Sequence, residues 1–214
     1  MSLRRALFAP LFFILILCAC QTTYYAFWEK LGKEKRHLLK DQVESARSEQ
    51  EKASEEFKDA LTRLKEIYGF QGGELEGYYN RLRDDYETCK RRADAVDVRI
   101  KKVKQVASDL FKEWNNELNE MSNEKLRAKS RRSLDITQAR YARLEDAMIK
   151  AKSSMEPALR DLRDYVLYLK HNLNAQAVGT LKQEVGDIEL EVEKLIKDIG
   201  ISIREADDFL KSFE

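Results

Sequence analysis

The chain has 214 residues, with 39 Lys+Arg against 38 Asp+Glu and a formal net charge of +1. At 43% hydrophobic and nearly neutral, it is too apolar for a disordered tail, and with only 8 Gly and 2 Pro it lacks the turns that a β-sandwich or barrel needs. The balanced charge provides no overall electrostatic footprint for nucleic acid, so no nucleic-acid partner is expected.

Residues 1–20 have the composition of a targeting segment. Arg4 and Arg5 form a short positive region, and Leu7 to Leu17 is an apolar stretch interrupted only by Pro10. That stretch is shorter than the roughly 20 apolar residues of a comfortable membrane span, which is the pattern of a secretory signal. Leu17-Cys18-Ala19-Cys20 places an aliphatic residue three before a cysteine and a small residue just before it. This resembles the bacterial lipobox, in which the cysteine is acylated and the chain is cut in front of it. The alternatives are an ordinary signal peptide or an uncleaved anchor with a chance cysteine. The expected division is therefore 1–19 signal peptide, 20–23 lipidated anchor segment and 24–214 helical bundle. Cys20 is the expected lipid-attachment site, and several acyl chains satisfy the two-signal requirement for stable anchoring. Gln21, where sorting to an inner membrane would favour Asp, points to the outer membrane of a two-membrane host. Cys18 leaves with the signal, so Cys89 is the one remaining thiol and an intramolecular disulfide is not expected.

Immediately after the anchor come Tyr24, Tyr25, Phe27 and Trp28. Two readings stand side by side: an aromatic collar at the headgroup layer, or the first turn of the bundle core.

From there on the chain is built of heptads. Apolar residues recur at alternating steps of four and three in four runs: Leu39 to Ile67, Leu75 to Met121, Leu134 to Leu169, and Leu181 to Leu210. A period of 3.5 keeps one stripe of an α-helix against its partners; a strand would need period two. Gly69-Phe70-Gln71-Gly72-Gly73 is the clearest turn. Ser122 or Asn123 can cap a new helix by accepting from its free N–H groups. For the last break, Asn172 and Asn174 can cap the ends of two helices, and Gly179-Thr180 with Gln183 is a competing start. Pro157 must bend or restart the third helix, and the unbroken heptad phase favours a bend. Helices near 24–68, 75–121, 124–171 and 175–213 follow, each about 60–70 Å long. The expected fold is all-α, a long antiparallel bundle or coiled coil of four helices.

Helix one leaves the anchor, so the turn near residue 122 comes back to the membrane. That brings the basic run Lys125, Arg127, Lys129, Arg131, Arg132 near the lipid surface. The simpler reading of the run is a solvated face paired with Glu113, Glu117, Glu120 and Glu124; the other is lipid contact. Cys89 falls on the heptad seam and reads as a small buried hydrophobe, or else as an intermolecular bridge. His171, Asn172 and Asn174 read as turn and cap residues, or as a polar spot for a partner at the distal end.

No catalytic constellation stands out. The two histidines, His37 and His171, lie far apart, no zinc-binding cysteine pair survives, and the glycine turn lacks the Lys-Ser/Thr of a phosphate loop. No metal, cofactor or enzymatic activity is expected.

The segments Tyr24-Tyr25-Ala26-Phe27-Trp28-Glu29-Lys30-Leu31-Gly32-Lys33-Glu34-Lys35-Arg36 and Tyr168-Leu169-Lys170-His171-Asn172-Leu173-Asn174-Ala175 resemble two stretches of one family of bacterial lipoproteins, catalogued only as a domain of unknown function. Phe70-Gln71-Gly72-Gly73-Glu74-Leu75-Glu76 is similar to that family's glycine turn. The resemblance implies a Gram-negative, helical, periplasm-facing lipoprotein and no assigned activity. The functional expectation is a lipid-anchored scaffold or adaptor, attached to the membrane through Cys20 and working with another envelope protein. The alternative is a membrane-organising coiled coil that binds lipid directly. An oligomer is compatible with either.

Overall fold

Heptads written with such long continuity favour helices whose dry stripes must find one another. The computed structural model, which describes residues 35–70 and 74–212, contains four of them. They are α1 (Lys35–Lys65), α2 (Leu75–Glu120), α3 (Glu124–His171) and α4 (Ala175–Lys211). A short 3₁₀ turn, Glu66–Gly69, follows α1. At 1.5 Å per residue, α3 with its 48 residues is about 72 Å long and α4 with 37 is about 55 Å.

Each helix packs on its neighbours in sequence, and α4 closes back on α1. The arrangement is an up-down-up-down four-helix bundle, and short loops leave it no other simple path. Cross-helix ion pairs follow one register. Lys35 meets Glu113 at 2.6 Å and Arg92 meets Glu56 at 3.2 Å across α1–α2, with Arg63–Asp85 between the same helices. Lys104–Glu145 at 2.7 Å joins α2 to α3, Arg143–Glu205 at 3.7 Å joins α3 to α4, and Arg47–Asp207 at 2.7 Å joins α4 to α1. Exposed pairs of this kind contribute about 0–1 kcal/mol each, so they select the alignment more than they hold the fold. Burial of the stripe supplies the stability.

The predicted stripes are the buried ones. All nine seam positions from Leu39 to Ile67 are buried, and so are Leu82, Cys89, Val96, Ile100, Val103, Ala107 and Leu110 on α2. The same holds for Tyr141 through Leu169 on α3 and for Leu181 through Ile199 on α4 at their seam positions. Tyr79, Tyr86 and Ala93 are only partly buried, packed against that core.

The helix ends follow the capping logic. Asn123 Oδ1 accepts from the N–H of Lys125 at 3.1 Å and of Leu126 at 3.2 Å, so Asn123 and not Ser122 is the cap. At the other end of α3, the Asn172 N–H donates to Leu169 O at 3.1 Å and its Nδ2 donates to Tyr168 O at 2.9 Å. Asn174 Oδ1 accepts from the Ala177 N–H at 3.0 Å and starts α4. The competing Gly179-Thr180 start lies inside α4. Pro157 does not interrupt α3, which runs through it. Of the glycine turn, Gly69 and Phe70 are described, and the Phe70 N–H closes on Ile67 O at 3.2 Å; residues 71–73 lie outside the described residues.

Candidate functional site

Cys20, the expected signal segment 1–19 and the aromatic residues Tyr24, Tyr25, Phe27 and Trp28 lie outside the described residues. The geometry available for a site therefore begins at Lys35, where the chain enters the bundle.

Lys35 lies level with Glu113 of α2, and the α4 C-terminal Ser212 lines the same groove as Lys35, Glu113 and Ile136. That groove has a volume of about 750 Å³. Below this level, among the described residues, only α2 and α3 continue, joined through Met121-Ser122-Asn123. Trp114 Nε1 donates to Ser130 Oγ at 2.8 Å, and Arg131 Nη1 donates to Asn115 Oδ1 at 2.7 Å, tying the two helices of this hairpin together.

The basic run of α3 is not neutralised by the acids beside it. Glu113 takes Lys35. Glu124, itself at the end of α3, reaches only Arg127, at 4.0 Å. Among the described residues, Glu117 and Glu120 form no ion pair. Arg127 also donates to Met121 O at 3.3 Å, so it belongs to the turn. Lys125, Lys129 and Arg132 are exposed and, among the described residues, without an acidic partner. At 100° per residue, steps of four and three place these three on one face, with Arg127 and Arg131 on the far side. Of the five cations expected near the lipid, Lys125, Lys129 and Arg132 thus share a face, and Arg127 and Arg131 do not. Leu126 and Ile136 stand exposed nearby, at 57% and 54%.

At the opposite end, Asn172 and Asn174 spend their side chains on caps, and His171 is exposed as the last residue of α3. Tyr68 and Leu173 are exposed at this end, near the two distal turns.

Between the ends, the core carries two polar inserts that the heptad pattern did not flag as polar contacts. Asp198 on α4 is 4% exposed and accepts from Ser154 Oγ at 2.6 Å and from Lys150 Nζ at 3.0 Å, both on α3. Burial pushes its carboxyl up, but the hydrogen bonds from Ser154 and Lys150 outweigh that and hold it below the usual carboxylate range. A carboxylate with a depressed folded-state pKa contributes stability above its unfolded pKa, near 3.9, and loses it as pH falls through the folded value. Asp198→Asn should therefore cost about 1–3 kcal/mol at pH 7. The gap from the natural protein should shrink as pH drops from about 4 towards 2; urea unfolding across that range measures it. In the second insert, Ser202 Oγ donates to Gln50 Oε1 at 2.9 Å, fully inside the core, and joins α4 to α1. Gln50 Nε2 is buried with no partner. Such polar contacts fix helix register at some cost in stability.

Cys89 is fully buried, and burial pushes its thiol up to about 12. A thiol so placed is not available for an intermolecular bridge while the bundle is folded. Under native conditions iodoacetamide should leave Cys89 unmodified for hours at pH 8, and modification should proceed within minutes in 8 M urea. Tyr78 is a further core residue outside the predicted stripe. It donates its hydroxyl to Leu64 O at 3.0 Å, and burial raises its pKa.

Among the described residues, no group of three His, Cys, Asp or Glu is placed to hold a metal, and no helix is long and apolar enough to cross a membrane. The family described as "Protein of unknown function (DUF2959)" matches residues 24–213. The chain belongs to this family. The match begins at the aromatic segment and spans all four helices, so the whole bundle is the family's unit. No curated protein and no solved structure matches the chain.

Proposed function

We propose that this family member is a lipid-anchored, non-enzymatic helical scaffold of the outer membrane, facing the periplasm. The observation that carries the reading is Leu17-Cys18-Ala19-Cys20 standing close ahead of the aromatic segment and the bundle. Acylation at Cys20 would tether the rod by the end at which α1 begins. The turns around residues 66–75 and 171–174 would then be held about 70 Å from the lipid, the length of α3. A second envelope protein would engage that distal end, where Tyr68 and Leu173 are exposed.

Two measurements test the anchor. Mass spectrometry of the N-terminal peptide should find Cys20 as the first residue, carrying acyl chains; an unmodified mature amino terminus removes the anchor from the reading. Cys20→Ala should move the protein from the membrane to the soluble fraction, and continued pelleting with membranes would count against it. For the scaffold role, crosslinking in intact cells from residues 69–77 and 171–178 should capture a discrete envelope protein.

A further inference from the structure

We infer that the α3 face carrying Lys125, Lys129 and Arg132 is a docking surface for anionic lipid headgroups. It would fix how the bundle sits on its membrane. Its direction rests on the lipid anchor proposed above, because Cys20 lies only 15 positions ahead of Lys35, where the chain enters the bundle at this end.

Three observations support it. The first is charge: residues 112–134 hold six basic side chains against four acidic ones, and the acid Glu113 is already taken by Lys35. The second is availability. Arg127 and Arg131 are engaged with Met121, Glu124 and Asn115, whereas Lys125, Lys129 and Arg132 project from one exposed face with no acid of the described residues within ion-pair distance. The third is the apolar component. Leu126 beside the turn and Ile136 in line with the three cations are among the most exposed large hydrophobic residues of the bundle. Cations in register with isolated aliphatic side chains match a headgroup layer, where phosphates meet the outermost acyl carbons. On the same face Arg140 is also exposed and without an ion pair among the described residues, and one turn further Arg143 pairs with Glu205, so the unpaired basic stripe runs from Lys125 to Arg140 and ends there.

The test uses the full chain in vesicles, labelled at Ser122→Cys with an environment-sensitive dye. Ser122 is exposed in the turn, and Cys89 is buried away from the reagent. A Thr180→Cys label on α4 near the opposite end is the control. In vesicles with 30% phosphatidylglycerol the turn label should shift to the blue and be quenched by brominated lipid. In pure phosphatidylcholine it should not, and the control label should respond in neither. Lys125→Glu/Lys129→Glu/Arg132→Glu should lower the bound-to-free ratio of the turn by roughly a hundredfold or more, at about fivefold per lost cation. The charge-keeping Lys125→Arg/Lys129→Arg/Arg132→Lys should retain it, and 0.5 M NaCl should abolish it in the natural sequence. Equal signals in neutral and anionic vesicles, or a signal that survives the triple reversal, would overturn the inference. The same label read after adding unacylated chain carrying Cys18→Ser and Cys20→Ser to preformed vesicles separates this surface from the anchor: either can fail while the other holds.

Discussion

Phe57→Ala should lower the free energy of unfolding by about 3–5 kcal/mol, at the upper end of what truncating one core side chain costs. Phe57 is fully buried on α1, and the seam positions on either side of it are Ala53 and Ala60, also fully buried. The ring therefore fills space that its own helix leaves open. Within the same core cluster lie Cys89, Val192 and Leu195. Small neighbours cannot swell into the void, so the transfer loss and the cavity cost both persist. Phe57→Leu keeps most of the volume and should cost only about 1–2 kcal/mol. Leu190→Ala, at a position 65% exposed, should stay within about 0.5 kcal/mol of the natural protein. Urea unfolding of the three variants gives the order directly. A Phe57→Ala loss below about 1 kcal/mol would mean that the ring is not in the packed core.

Pro157→Ala should act in the opposite direction, stabilising the bundle by about 1–3 kcal/mol. α3 is continuous from Glu124 to His171 with the proline inside it. At that point the helix lacks one N–H, the Ser153 carbonyl loses its intrahelical donor, and the ring crowds the preceding turn. Ser153 is exposed, so water satisfies part of that loss, which is why the expected gain stays at or below the full cost of a helix-interior proline. The flanking seam residues Met155 and Ala158 are both buried, so the stripe does not leave the core at the proline. Differential scanning calorimetry should show a higher Tm. A lower Tm would mean that α3 and α4 are packed around a bend that alanine straightens.

Much of this architecture was legible because one physical signal dominates the chain. An unbroken 3.5 period determined which face of each helix is buried, and Gln50 could be placed in the core although it is polar. Asn123, Asn172 and Asn174 were legible as caps because asparagine offers an acceptor at a helix start or an αL-tolerant residue at its end. What was missed followed from rules that periodicity does not carry. Asp198 and Ser154 each stand one residue from a seam position, next to Ile199 and Met155, and a charged residue there reads as solvated until a partner helix is known. Ser202 falls on the step between Ile199 and Ala206 where an apolar residue was wanted, and only its contact with Gln50 explains it. Tyr78 adjoins the predicted Tyr79; with two tyrosines in a row, the choice depends on the Leu64 carbonyl, which lies on another helix. The fate of the basic run could not be read either. Sequence proximity suggested that Glu117 and Glu120 would neutralise it, but a turn between two helices decides which side chains face each other.

The closure of α4 on α1 bears on how such a chain can be made. The Ser202–Gln50 hydrogen bond joins residues 152 positions apart, and Lys65–Glu189 spans 124. A polypeptide emerging amino terminus first from a ribosome or a translocation channel has one flank of α1 uncovered until nearly all of it has appeared. The early helices can collapse as a hairpin, but the apolar flank of α1 that packs on α4 remains wet until the last segment arrives. Premature completion is thus prevented by topology: the bundle cannot close while a ribosome or a channel still holds the last helix.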